Sequence, residues 1–377
     1  MRCKTTTQFK TVRAIRHLLT FRFLPFVVII CSFFDPVFQN SSFSFAVFRD
    51  YSYCFPTTSS QLSRRDFSMT VILTACTMRK RFSPDEFLNA RALTVGTTQS
   101  VGEDWRGRMR RAEPKALASD MYAGRSMMEA KLAANAIGAR LTIASAGLGL
   151  VPADRQIPSY NLTVSPGSAD SIFKKLAPGT SAYDWWTQVS SDRQAEELAD
   201  SLQGNPQSLL LVSLPHAYLS MLTPLIISLS IVSTGRLRIM TASTQMDIAP
   251  ALIPFVLPYD QRLDGPDSPI PGTMGDYASR ALRHFVTNVL VDHPQGSITD
   301  HAEFVRSSQG EWRFPTRKAG RRIDDQEALQ ILRDNWNVAK GSSSRLLRIF
   351  RDEMNIACEQ GRFARLAAIV RNEVAAR

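Results

Sequence analysis

Apolar residues gather in short runs of strand length. Residues 70–75 (TVILTA), 141–145 (LTIAS), 208–213 (SLLLVS) and 237–241 (LRIMT) are nearly continuous in character, the pattern of strands buried on both faces. Between the first two, Met127, Ala130, Leu132, Ala134 and Ile137 fall at helical spacing over 126–137, with Gly138 as the stop. A second helical pattern occupies 218–230, between the third and fourth runs. Strand, helix, strand in this order predicts an α/β fold: a mostly parallel sheet with flanking helices. The stretch 209–231 is apolar enough to suggest a membrane span, but Pro215, His216, Pro224 and several serines interrupt it, so a buried strand plus helix is expected and no membrane partner.

The Gly/Pro-rich segment 265–275 reads as a loop, followed by a helix over 277–290. From 324 the strand signals stop. Helical patterns cover 325–336, a stretch through 353 capped by the serines at 342–344, and 356–374 with Phe363, Leu366, Ile369 and Val370 on one face. This predicts an α/β domain over 69–320 and a small all-helical module, of helix-turn-helix-like kind, over 321–377.

Composition redraws the N-terminal boundary. Of 377 residues, the first 68 contain no Gly, Glu or Trp, yet hold 12 of the 21 Phe and three of the five Cys. About five glycines would be usual in that length. The basic start and the apolar run 23–34 invite comparison with an export signal, but the run is shorter than a bilayer span and no small-residue cleavage site follows. The segment is expected to lie outside the fold, as upstream sequence with Met69 as the initiator. The net charge of +11 then shrinks: residues 69–377 carry 36 basic against 31 acidic residues, a net +5. Bulk charge no longer implies affinity for polyanions. Only Cys76 and Cys358 remain, too few for a disulfide framework, and a reducing cytoplasm is the expected setting.

Candidate chemistry begins at the end of the first run. Cys76 would stand at the C-terminal end of a parallel strand, the ligand-binding edge of an open α/β sheet. Arg79 and Lys80 nearby would favour its thiolate, the form that attacks electrophiles such as a nitrile carbon. A small buried core cysteine is the alternative. The turn from Ser145 through Gly147 to Gly149 either lets backbone approach a ligand or packs tightly against Tyr160. It lacks the spacing of a dinucleotide fingerprint and the Lys-Ser/Thr of a phosphate loop. His216, His284, His293 and His301 are isolated, so no metal site or other cofactor is expected, and Asp120, Asp154 and Asp170 are too scattered to nominate as a pair.

Two segments resemble a known group. Tyr122-Ala-Gly-Arg125, then Ser145-Ala-Gly-Leu-Gly-Leu-Val-Pro152, Asp154 and Ile157-Pro-Ser-Tyr160, are similar to the YaaA-like superfamily of bacterial proteins, which includes peroxide-stress proteins implicated in DNA binding. The resemblance implies a ligand pocket that draws on Tyr122, Gly124, Ser145, Gly149, Asp154 and Tyr160; Gly147 in the turn and Arg125, placed with Tyr122 at a helix start to stack on and pair with a base or phosphate, join them by their own chemistry. A weaker likeness to the lyase-like domain of archaeosine synthases rests on Cys76, Lys80, Phe82 and Ser83, with Ala75 and Arg81 standing where that family has prolines. It implies Cys76 and Lys80 as catalytic groups acting on a 7-deazaguanine-type base, with Ser83 in the pocket.

Basic clusters point to nucleic acid, with a solvated loop as the alternative for the first two and a plain packed helical bundle for the third. Arg106, Arg108 and Arg110 lie near Trp105, and the stretch 312–322 repeats that character with Phe314. Arg345, Arg348 and Arg351 recur at three-residue spacing, as a recognition helix presents them. The sequence thus supports a cytoplasmic, YaaA-like protein associated with DNA or another nucleic acid. An enzyme using Cys76 and Lys80 and a small-nucleotide sensor are the alternatives.

Overall fold

A computed structural model describes residues 70–375 except 204–206, 230, 233, 244 and 317–319; the expected extension 1–68 lies outside the described residues. Five strands form one sheet: β1 (Val71–Ala75), β2 (Arg140–Ser145), β3 (Gly149–Pro152), β4 (Leu210–Ser213) and β5 (Leu237–Met240). Their spatial order is β3-β2-β1-β4-β5. Leu73 of β1 aligns with Thr142 of β2 on one side and Val212 of β4 on the other, both in parallel register, and Val212 aligns with Ile239 of β5. Only β3 is antiparallel, a hairpin return from β2 that begins at Gly149. The sheet is therefore mostly parallel with flanking helices, as the apolar runs predict.

The strands are apolar because both faces are covered. Val71, Ile72 and Leu73 are fully buried, as are Leu210, Leu211, Val212 and Ile239. The helices that bear on the site are α1 (Thr98–Arg111), α2 (Arg125–Ile137), α3 (Ala182–Val189), α4 (Asp192–Gln203), α5 (His216–Ser228), α6 (Tyr277–Phe285) and α7 (Ile298–Ser308). The basic stretch around Trp105 is not a loop: it belongs to α1, and Trp105 is fully buried. Glu129 of α2 is buried at the α2–α6 contact, where Arg125 and Arg283 hold its two oxygens at 3.1 and 2.8 Å.

The chain leaves β1 toward β2 on one side and later crosses back to β4 on the other. This places a topological switch point at the C-terminal ends of β1 and β4, where open α/β sheets form their crevice. The helix expected over 277–290 runs as α6 to Phe285 and continues as one π-helical turn, Val286–Leu290.

A second hydrophobic core lies in the C-terminal helices α8 (Asp325–Asn335), α9 (Ser343–Arg348) and α10 (Gln360–Ala375). Phe350 and Phe363 meet edge to face at 5.3 Å between centroids, with Leu332, Leu346, Leu366 and Val370 buried around them. Among the described helices none is long and apolar enough to cross a membrane.

Candidate functional site at the switch point

The segment after β1 is pinned by backbone pairing. Arg81 N donates to Met121 O and Ala123 N to Arg79 O, both at 2.9 Å, so residues 79–81 run antiparallel to 121–123. Lys80 and Tyr122 are thereby set side by side. The amine of Lys80 donates to the Thr77 carbonyl at 3.2 Å and stands 4.5 Å from the Tyr160 ring centroid and 5.6 Å from that of Tyr122. Burial holds the ammonium below the ordinary lysine range, against an opposing pull from Cys76 and Asp170.

Beneath the amine lies a chain of hydroxyls. Tyr122 donates to Ser145 Oγ at 3.1 Å, Ser145 Oγ and the Tyr160 hydroxyl are 2.5 Å apart, and the two phenol oxygens are 2.8 Å apart. Tyr160 donates onward to Cys76 Sγ at 3.9 Å, and the Tyr218 hydroxyl lies 3.1 Å from the same sulfur. Burial, assisted by Cys76, pushes the phenols of Tyr122, Tyr160 and Tyr218 above their ordinary value, so all three keep their protons near neutral pH. The thiol sits among retained hydroxyl protons with an amine in electrostatic reach.

Cys76 also lines a cleft of about 300 Å³ at the C-terminal ends of β1, β4 and β5. Its wall is rich in small hydroxyl side chains, Ser126, Ser213, Ser243 and Ser279 among them, and His216 faces Ser243 Oγ across 3.3 Å. This is the crevice that the strand order implies.

The structure brings Cys76, Lys80, Tyr122, Ser145 and Tyr160 together, and it gives the glycines a packing role. A Cβ on Gly147 would stand 2.8 Å from the Tyr160 ring and 3.1 Å from Trp105, whose indole donates to the Gly147 carbonyl at 2.8 Å. Gly149 has φ 75°, and a Cβ there would press on the backbone of Val189 and Ser190. Of the two roles open to this turn, seating Tyr160 is the one the contacts display.

Other nominated residues lie apart from this cluster. Asp154 is exposed and lines a different groove, of about 810 Å³, with Val71, Arg140 and Leu141 from the starts of β1 and β2. Ser83 is exposed, Gly124 precedes α2 with φ 107°, and Arg125 is spent on Glu129. Arg106 donates to the Gln188 carbonyl, and Arg108 pairs with Asp104 at 2.9 Å while holding the carbonyls of Phe87 and Ala92; Arg110 is exposed. Arg345 and Arg348 are both exposed on α9.

Sequence reasoning missed Tyr218, which touches the thiol, and left Asp170 without a role. Tyr218 is 142 residues from the thiol it touches, and no local motif marks it. Its one signal is position: it lies in the first turn of the helix that opens after Pro215, directly downstream of a buried strand. Among the described residues no group of three or more His, Cys, Asp or Glu could hold a metal ion. Set against protein-family models, curated proteins and solved structures, the chain has no match.

Proposed function

We propose that this chain is an enzyme that adds Cys76 to an electrophilic carbon of a small nitrogen heterocycle, with a nitrile-bearing 7-deazaguanine-type base as the class. The supporting observation is the convergence of a thiol, a desolvated amine and three protonated phenols at the switch point of the sheet. The reaction needs no further reagent. The Sγ–C bond forms, the C≡N bond becomes C=N, and Lys80 carries the thiol proton to the nitrogen, giving a thioimidate. The hydroxyls of Tyr160 and Tyr218 steady the sulfur during the addition. The likeness of Cys76, Lys80, Phe82 and Ser83 to the lyase-like domain of archaeosine synthases implies the same class of ligand.

Intact-protein mass spectrometry with 7-cyano-7-deazaguanine tests this reading. The expected result is a gain of one probe mass that disappears in Cys76→Ala and forms at least tenfold more slowly in Lys80→Ala. No gain, or an equal gain in Cys76→Ala, overturns it.

A second reading, association with nucleic acid, is favoured by the exposure of Arg345 and Arg348 together on one short helix. It concerns the helical module and is independent of the thiol.

A further inference from the structure

The cleft at the C-terminal ends of β1, β4 and β5 carries donors that addition to the thiol does not use. Thr74 of β1 and Ser213 of β4 are aligned in parallel register, and both line the cleft together with Ser279 from the first turn of α6. Thr74 is 2% exposed, and among the described residues no hydrogen bond reaches its hydroxyl. The buried hydroxyls of Ser213 and Ser279 meet each other only at 3.4 Å, well beyond the usual distance between two hydroxyl oxygens. Buried hydroxyls so poorly partnered are costly, and a ligand that engages them recovers that cost.

Two helices also begin at this cleft. Ser126 is the second residue of α2 and His216 the first of α5, and both line it. The cap positions fall to Gly124 and Pro215, and neither helix receives a side-chain cap. The amide of Met128 donates to the Gly124 carbonyl at 3.2 Å and that of Tyr218 to the Pro215 carbonyl at 3.0 Å. The amides ahead of them have no partner within their helices, and the two helix dipoles add partial positive charge at the same end.

The cleft lining contains no Asp, Glu, Lys or Arg among the described residues, so no carboxylate opposes an anion there. Hydroxyls and helix-start amides together suit a phosphoryl group, which offers more acceptor oxygens than a carboxylate. The volume of about 300 Å³ exceeds a bare inorganic anion, and Ala75, Ala242, Met274 and Ala278 give the cleft an apolar part for the body of an ester.

We infer that this cleft binds a phosphate monoester, its phosphoryl oxygens taking the open amides of α2 and α5 and the hydroxyls of Thr74, Ser213 and Ser279. The inference goes beyond the reading of the thiol, because none of these contacts uses the sulfur.

Isothermal titration calorimetry of the full chain with ribose 5-phosphate, ribose and inorganic phosphate tests it, repeated on Thr74→Val and Ser126→Glu with a thermal melt to verify folding. The expected result is saturable binding of ribose 5-phosphate, at least tenfold tighter than either ribose or inorganic phosphate. Affinity for the ester is expected to fall several-fold in Thr74→Val and at least tenfold in Ser126→Glu, which sets a carboxylate at the start of α2 against the phosphoryl group. No binding of the ester, equal binding of ribose, or unchanged affinity in either folded variant overturns the site; inorganic phosphate binding as tightly as the ester overturns the monoester as its ligand. Ser126 is half-buried in a first helical turn, where a glutamate is tolerated, so Ser126→Glu decides where Thr74→Val does not fold. Absence of the Cys76 adduct removes the thiol reading and leaves this site standing, and absence of ester binding does the reverse.

Discussion

Tyr160 carries several duties in one side chain. Its ring meets Trp105 edge to face at 5.8 Å and underlies the Lys80 amine, while its hydroxyl joins Tyr122 and Ser145 to Cys76. That ring is seated by the missing side chain at Gly147. Gly147→Ala must therefore push a rigid, fully buried aromatic pair aside, and we expect a loss of about 1–3 kcal/mol in stability by chemical denaturation. Adduct formation at Cys76 should fall in the same variant, because the displaced hydroxyl no longer reaches the sulfur. A variant as stable as the parent would show that the turn yields freely. The glycine itself was legible in the sequence; that it serves a tyrosine further along the chain was one of two readings, since only three-dimensional contact shows which neighbour needs the space.

At the level of elements, β5 holds an unusual residue in its middle. Arg238 is 2% exposed, and its guanidinium is received by neutral groups: His301 Nδ1 at 2.8 Å and the carbonyls of Gly235, Leu237 and Gly296. His301 of α7 gives its other nitrogen to the His293 carbonyl at 2.8 Å, so the imidazole must be neutral to accept from the arginine. Burial lowers His301 to about 4, and burial does the same to His284, which bonds the Tyr259 hydroxyl at 2.8 Å. In the unfolded chain both would take a proton near the ordinary histidine value of about 6.5. Between there and about 4 the unfolded state binds more protons, so stability is complete above that window and drains away as pH falls through it. Thermal melts should show the midpoint dropping between about pH 6.5 and about pH 4, with a shallower drop in His301→Gln; a flat profile would count against the neutral assignment. These elements also show what pattern reading captures. The apolar runs marked β1, β2, β4 and β5 because both faces of a parallel strand are buried, and α2 and α5 followed from spacing. Strand β3 escaped because it is four residues long and framed by Gly149 and Pro152, which read as a turn; helices α1, α3, α4 and α7 escaped because their polar faces dilute the apolar signal, as in α4, where Leu198 and Leu202 are the buried residues. No periodicity anticipates an arginine received by a histidine inside a sheet.

Across the whole molecule the chemistry and the Arg345/Arg348 pair belong to different cores. The thiol, amine and phenols lie in the α/β body, whereas Arg345 and Arg348 belong to helices built around Phe350 and Phe363. Of the body's own arginines near Trp105, Arg106 is held by Gln188 and Arg108 by Asp104, while Arg110 and Arg111 are exposed. Neutralising Arg345 and Arg348 as a double glutamine variant should weaken binding to a labelled DNA duplex several-fold at low salt and flatten its salt dependence by up to about two phosphate contacts. Fluorescence anisotropy over a salt series measures both. Retained affinity with an unchanged slope would remove the helical module from nucleic-acid binding, and the adduct chemistry at Cys76 should be the same in parent and variant.

The crossing of the chain from one side of β1 to the other has a further consequence during synthesis. Cys76 and Tyr160 emerge early, but Tyr218 and the strand that precedes it arrive only after the chain has wound back across the sheet. A parallel strand cannot pair with a partner that has not yet been made. Until β4 docks, the nascent thiol lacks its second phenol and the crevice lacks one wall, so the period of greatest exposure to oxidants falls on the ribosome and not in the finished fold.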